Sequence, residues 1–311
     1  MAVPGDPATA LPEAAGKAAA EAERARVGVA SAVGAFLLWG VMPIYFRWID
    51  EVPALEVVAH RVIWSLVFVV LVLLAAGHWR AFALAFRAKA NVRAFLVSAV
   101  LITINWTLFI WAINAERVLD ISMGYFINPL VSVLMGRVLL GEQLRPVQWI
   151  AVALAAAGAV NLVVALGVLP WIGLTLAFSF ALYGLIRKTA KVDSLVALGL
   201  ETAFLTPLSI VYLIVMAASG AGAMGAHGLG VDLLLLLAGP VTAVPLLLFG
   251  HGARRLNLST IGLLQYISPS MQFVLAVFWW GEPFTTAHIV TFGLIWSALA
   301  LYTQDSLRQR G

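Results

Sequence analysis

Residues 127–143, INPLVSVLMGRVLLGEQ, and residues 267–283, ISPSMQFVLAVFWWGEP, can be laid one on the other at a fixed offset of 140 positions. At that offset Pro129 meets Pro269, Gly141 meets Gly281 and Glu142 meets Glu282. Further out, Arg47 meets Arg187, Val52 meets Val192 and Leu55 meets Leu195. Apolar matches alone would mean little in so biased a composition. A proline, a glycine and a glutamate held in one register are much harder to obtain by chance, so residues 27–166 and 167–306 read as two copies of one unit.

Each copy contains five apolar runs. They begin near residues 27, 54, 94, 120 and 147 in the first copy and near 168, 195, 233, 258 and 285 in the second. A helix needs about 20 apolar residues to cross roughly 30 Å of hydrocarbon, and these runs approach that length. Charge clusters, Pro or Gly bound them, and the alternation expected of a membrane barrel is missing. The whole chain is 62% hydrophobic and 11% charged, with a mean hydropathy of +0.99, too little polar side chain to cover a water-facing surface. An odd number of spans per copy forces the second copy to enter the membrane from the opposite side. The expected fold is therefore an all-α integral membrane protein, ten transmembrane helices arranged as two inverted five-helix repeats (5+5). Inverted halves supply two near-equivalent conformations, one open to each side, which is what alternating access requires.

If the amino terminus lies inside, the cytoplasmic tails and loops collect all of the 19 Lys and Arg except Arg47, Arg61 and Arg117. The positive-inside rule then places both termini in the cytoplasm and the protein in a plasma (inner) membrane. The same rule explains the basic loops without nucleic acid. Residues 1–26, rich in Ala, Glu and Pro and without an apolar run, read as a disordered cytoplasmic tail, and 307–311 as a second short one. The run from Val27 to Phe46 is too long for a signal-peptide core and is taken as the first span.

Chemistry is sought where polar residues interrupt the spans. Pro129 and Pro269 fall inside the fourth and ninth runs, where each removes a helical hydrogen bond and frees the carbonyl four residues earlier, at Tyr125 and Gln265. Tyr125 and Asn128, like Gln265 and Ser268, share a helix face with their proline, and Tyr266 stands beside them; these residues form the candidate substrate site. A plain packing kink is the competing reading. Asn105 in the third span either bonds a neighbouring helix or lines a pathway, as does Asn114. Trp39, with Tyr45 and Tyr183, is a candidate aromatic wall, although an interfacial position suits Tyr45 better. Glu56, His60 and Trp64 follow at i, i+4 and i+8, so Glu56 and His60 are placed to share a proton. Arg61 is paired by the offset with Glu201. These four ionisable residues are candidates for proton or charge coupling, or equally for structural anchoring, because buried charges are costly to retain. Gly141 and Glu142, and Gly281 and Glu282, are read as a helix-ending glycine followed by a glutamate that caps the next helix, with a gating contact as the lesser alternative.

The segments LLWGVMPIYFRW (37–48), VPALEVVAHRVIWSLVF (52–68), INWTLFIWAIN (104–114), SMGYFINPLVSVLMG (122–136) and GPVTAVPLLLFGHGARRL (239–256) resemble the EamA branch of the drug/metabolite transporter superfamily, and specifically the RarD type of permease. The likeness extends over residues 34–306 and includes the polar positions. It implies a ten-helix fold with both termini inside and a transport function. Proteins of this type are labelled chloramphenicol-sensitivity or resistance permeases. The first span lacks the acidic residue that small multidrug exporters use for proton exchange, so any proton coupling falls to Glu56, His60 or Glu201.

The chain has no cysteine, hence no disulfide framework or thiol nucleophile, and no P-loop, dinucleotide fingerprint, HExxH or GxSxG sequence. No enzyme activity, cofactor or metal is expected. Transport is then secondary or facilitative, with a small-molecule substrate and the lipid bilayer as partners; a monomer and a homodimer suit the sequence equally. Two other classes compete. One is a structural or regulatory membrane subunit, in which the polar residues serve packing alone. The other is a lipid-modifying membrane enzyme, for which His60 and His251 are too isolated.

Overall fold

The computed structural model describes residues 7–114, 118–167, 171–279, 281 and 286–308, and every regular element among them is helical. The helices are α1 (Pro7–Arg47), α2 (Ala54–Ala75), α3 (Trp79–Arg87), α4 (Lys89–Asn114), α5 (Val118–Leu139), α6 (Pro146–Leu166), α7 (Trp171–Thr189), α8 (Ser194–Ala218), α9 (Leu229–Ala253), α10 (Leu258–Leu264), α11 (Ile267–Val274) and α12 (Thr286–Arg308). A single π-helical stretch, Leu275–Trp279, continues α11. Among the described residues, seven segments are long and apolar enough to cross a membrane by length and composition. They lie in α1, α2, α4, α6, α8, α9 and the run Leu258–Trp279 formed by α10, α11 and the π stretch. Large apolar side chains such as Leu71, Val164, Leu208 and Phe278 point outward, as lipid-facing positions do. Glu282 and Arg117 lie outside the described residues, as does the side chain of Asn114.

Local chemistry sets the ends of these helices. The Asp193 carboxylate accepts the Leu195 N–H at 2.9 Å and caps α8, and Pro146 opens α6 at a position where a missing N–H costs nothing. Gly141 and Gly281 have φ of +67° and +68°, so the expected helix-ending role of both glycines is met by a left-handed backbone that a side chain would strain. The first helix begins at Pro7 and runs unbroken into the first span. The Ala- and Glu-rich segment is a good helix former, it carries an i,i+3 pair between Glu23 and Arg26, and the membrane helix that follows removes the cost of nucleation.

The halves are interleaved. The most extensive helix pairings join one half to the other: α5 with α7, α6 with α12, α2 with α9 and α8, α1 with α9 and α11, α10 with α5 and α4 with α7. Small residues make the approaches possible. A Cβ on Gly239 of α9 would stand 2.3 Å from the Trp64 carbonyl carbon of α2, and one on Gly262 of α10 would stand 2.7 Å from the Pro129 carbonyl oxygen of α5. Polar side chains seal them. Asn161 on α6 donates to the Ala287 carbonyl at 3.1 Å and to Thr291 Oγ1 at 3.0 Å on α12.

Candidate functional site

The two proline segments meet. Gly262 lets α10 press on the turn of α5 that contains Pro129; there Ser132 Oγ donates to Gln265 Oε1 at 3.2 Å, and the Tyr266 hydroxyl donates to the Phe126 carbonyl at 3.0 Å. Tyr266 and Phe126 are themselves 140 positions apart, the offset at which the two proline segments align in the sequence. Asn128, Gln265, Ser268 and Pro269 are all buried at this junction or one turn beyond it. The Asn128 Oδ1 atom is enclosed and accepts no hydrogen bond among the described residues. Gln272 Nε2 then reaches the Trp39 carbonyl at 3.2 Å and Ser268 Oγ at 3.4 Å, connecting the junction to α1.

The prolines do not break their helices alike, contrary to expectation. α5 runs through Pro129, whereas the second proline segment parts at Gln265–Tyr266 into α10 and α11. The Gln265 carbonyl that Pro269 frees is taken by the Ser268 N–H at 3.2 Å, a tighter turn that closes the gap. Trp39 belongs to an aromatic cluster with Phe36, Phe180 and Phe249, and Tyr183 stacks on Phe249 at an interplanar angle of 16°. Tyr125 packs edge-on against Phe109. Asn105 takes the packing alternative, donating to the Leu176 carbonyl at 2.9 Å and to Ser179 Oγ at 3.0 Å on α7. Tyr45 is buried within the protein, its hydroxyl donating to the Leu234 carbonyl at 2.8 Å, so the interfacial reading of this residue is revised.

The ionisable residues separate into two groups. Glu56, His60 and Arg61 lie on α2. Glu56 Oε1 accepts the Ala223 N–H at 2.7 Å and stands 3.9 Å from His60 Nε2, while His60 Nδ1 accepts from Trp64 Nε1 at 3.2 Å. Arg61 Nε donates to Thr242 Oγ1 at 2.8 Å, and its guanidinium carbon sits 4.4 Å from the Trp106 ring centroid and 5.3 Å from that of Phe46. Glu201 is elsewhere, on α8, apart from Arg61 as expected of offset-matched positions near opposite faces. Its partner is Arg187, at 3.4 Å, and Ser98 Oγ and Tyr183 hydroxyl donate to the same carboxylate at 2.5 and 3.4 Å. Charge counting assigns Arg187 to a cytoplasmic loop, yet it is only 2% exposed. The available signal was its register with Arg47 and its spacing of fourteen residues from an intramembrane glutamate.

Glu142 is also corrected. It caps α10, across the bundle, instead of the helix that follows it: its carboxylate accepts the Leu258 N–H at 2.6 Å, the Ser259 N–H at 2.9 Å and Ser259 Oγ at 2.6 Å. Lys188 at the end of α7 lies 3.7 Å from the same carboxylate and donates to the Leu256 carbonyl. One side chain of the first half thereby fixes two helices of the second at one end of the bundle.

Buried polar and charged side chains of this kind, held between apolar helices, define a multi-pass membrane protein with a polar interior. The EamA-like transporter family matches residues 26–164. The RarD protein of Salmonella typhi is 44% identical over 287 residues, which is 92% of this chain and 98% of that one. An uncharacterized transporter of Vibrio cholerae is 44% identical over 284 residues, covering 91% and 94%. A protein of known crystal structure superposes with a TM-score of 0.70 at 20% identity, covering 91% and 98%, a likeness of fold. The chain belongs to the RarD type of the EamA-like transporter family, a family of membrane transporters.

Proposed function

We propose that this chain is a secondary or facilitative carrier of small organic solutes, drug or metabolite, working by alternating access between inverted five-helix halves at 27–166 and 167–306. It has no enzymatic activity, resides in the inner membrane and keeps both termini in the cytoplasm. The ten crossings are α1, α2, α4 to α9, the broken α10–α11 run and α12, while the nine-residue amphipathic α3 lies along the interface. The packing supports this reading, because the extensive pairings between halves have mates under the 140-residue offset. α5 on α7 corresponds to α11 on α1, α2 on α9 to α8 on α4, and α1 on α9 to α7 on α4.

One observation carries the proposal: an enclosed Asn128 Oδ1 without a donor, beside the contact of the two proline segments. An unmet buried acceptor costs about 1–3 kcal/mol, a cost with no structural return unless a ligand donates to it. The test is flux in proteoliposomes of the purified protein, screening amino acids and aromatic compounds, including chloramphenicol, with and without a pH gradient. Asn128→Ala and Gln265→Ala should abolish flux while the protein stays folded, and acceleration by the gradient would assign coupling to Glu56 and His60. Undiminished flux in both variants sinks the site. Absence of flux for every solute would favour a structural subunit.

A further inference from the structure

Arg61 is buried, 8% exposed, and is always charged, yet no carboxylate among the described residues lies within ion-pair distance of it. Its only hydrogen bond among them is Nε to Thr242 Oγ1. The nearest carboxylate on its own helix, Glu56, is turned to the Ala223 N–H and to His60. The titratable groups on which the Arg61 charge acts are the phenols of Tyr45 and Tyr125, and Tyr125 belongs to the candidate solute site. Trp106 covers a face of the guanidinium, Thr242 occupies the Nε edge, and the contacts of Ser65 and Trp64 with Gly239 lock α2 against α9 at that level. Thr242 is thirteen residues into α9, about 20 Å from its start at 1.5 Å per residue, which puts the group deep in the bilayer and away from headgroups.

We propose that the free Nη edge of Arg61 binds the carboxylate of the transported solute. The proposal rests on the carrier reading above and gives it a substrate class, small organic monoanions. Two parallel N–H donors match a carboxylate, and stacking on Trp106 keeps them in plane. A single arginine, with no lysine beside it, neutralises one negative charge, which fits a carboxylate better than a phosphate dianion. The other buried arginine shows how this fold completes a structural cation. Arg187 has Glu201 at 3.4 Å and the Ser194 carbonyl at 3.2 Å.

The test is calorimetric binding to the full-length detergent-purified protein of matched acids and amides: phenylacetate and phenylacetamide, benzoate and benzamide, butyrate and butyramide. At least one acid should bind about tenfold or more tightly than its amide, as expected for a bidentate charged contact. Arg61→Gln should erase that preference and Arg61→Lys should retain part of it. If no pair favours the acid, or if Arg61→Gln leaves the preference intact, the proposal is overturned. Should Arg61→Gln not fold, Arg61→Lys decides: loss of the planar fork must lower the preference several-fold, and an unchanged preference counts against the proposal. Flux of a neutral solute that persists in Arg61→Gln with no acid preference would refute this proposal and leave the carrier reading standing. Acid-selective binding without any flux would do the reverse.

Discussion

Two arginines are buried among the described residues, and their surroundings differ in kind. Arg187 ends α7 against Glu201, with Ser98 and Tyr183 completing the carboxylate and Gly250 giving the guanidinium room. Arg61 has a hydroxyl and aromatic faces, and no acid among the described residues. The first arrangement is closed, each charge spent on the other, and it joins α4, α7 and α8. The second leaves the Nη edge without a carboxylate among the described residues. The contrast teaches that depth alone does not mark a functional charge in a membrane; an unfilled partner position does.

The contrast can be broken by removing partners. Glu201→Ala leaves Arg187 buried and uncompensated, and should cost about 3–5 kcal/mol. It is read as a large fall in melting temperature or as loss of folded protein, which the double change Arg187→Met with Glu201→Leu should largely restore. Gly250→Ala comes next. Its Cβ would fall 2.2 Å from Arg187 Nη2, and such overpacking costs about 1–3 kcal/mol by thermal unfolding. Glu142→Gln keeps the shape of the α10 cap but removes its charge, so a loss of about 1 kcal/mol is expected, within the range for helix caps. The smallest effect belongs to Arg61→Met. Replacing a cation that has no counter-ion with a hydrophobe should leave the melting temperature within about 1 kcal/mol of the original, or raise it. A loss as large as that of Glu201→Ala would show Arg61 to be structural and erase the comparison.

The all-helical membrane architecture is legible in the primary structure, because lipid requires long apolar helices, and the offset that relates Pro129 to Pro269 and Gly141 to Gly281 picks out two segments that meet. The contact of the proline segments follows from the same register. Side-chain partners across helices are less legible. That Glu201 pairs with Arg187 could not be read from the sequence, since partnership depends on which helix faces which. Likewise Glu142 reaches α10 because the ends of α5 and α10 converge, while linear reading looks only to the next helix. The asymmetry of the prolines was hidden for the same reason, as α10 ends against α5 and α11 restarts against α1. The charged, Ala-rich Pro7–Arg26 segment satisfies compositional criteria for disorder and for helix alike.

The central claim is that the junction around Asn128 opens to each side of the membrane in turn. The chain has no cysteine, so an Asn128→Cys reporter needs no other change. Its labelling by a membrane-impermeant maleimide, in right-side-out and inside-out vesicles, tests the claim directly. Modification from both sides is expected. Protection from both sides, in protein shown to be folded, would contradict it and leave Asn128 a packing residue.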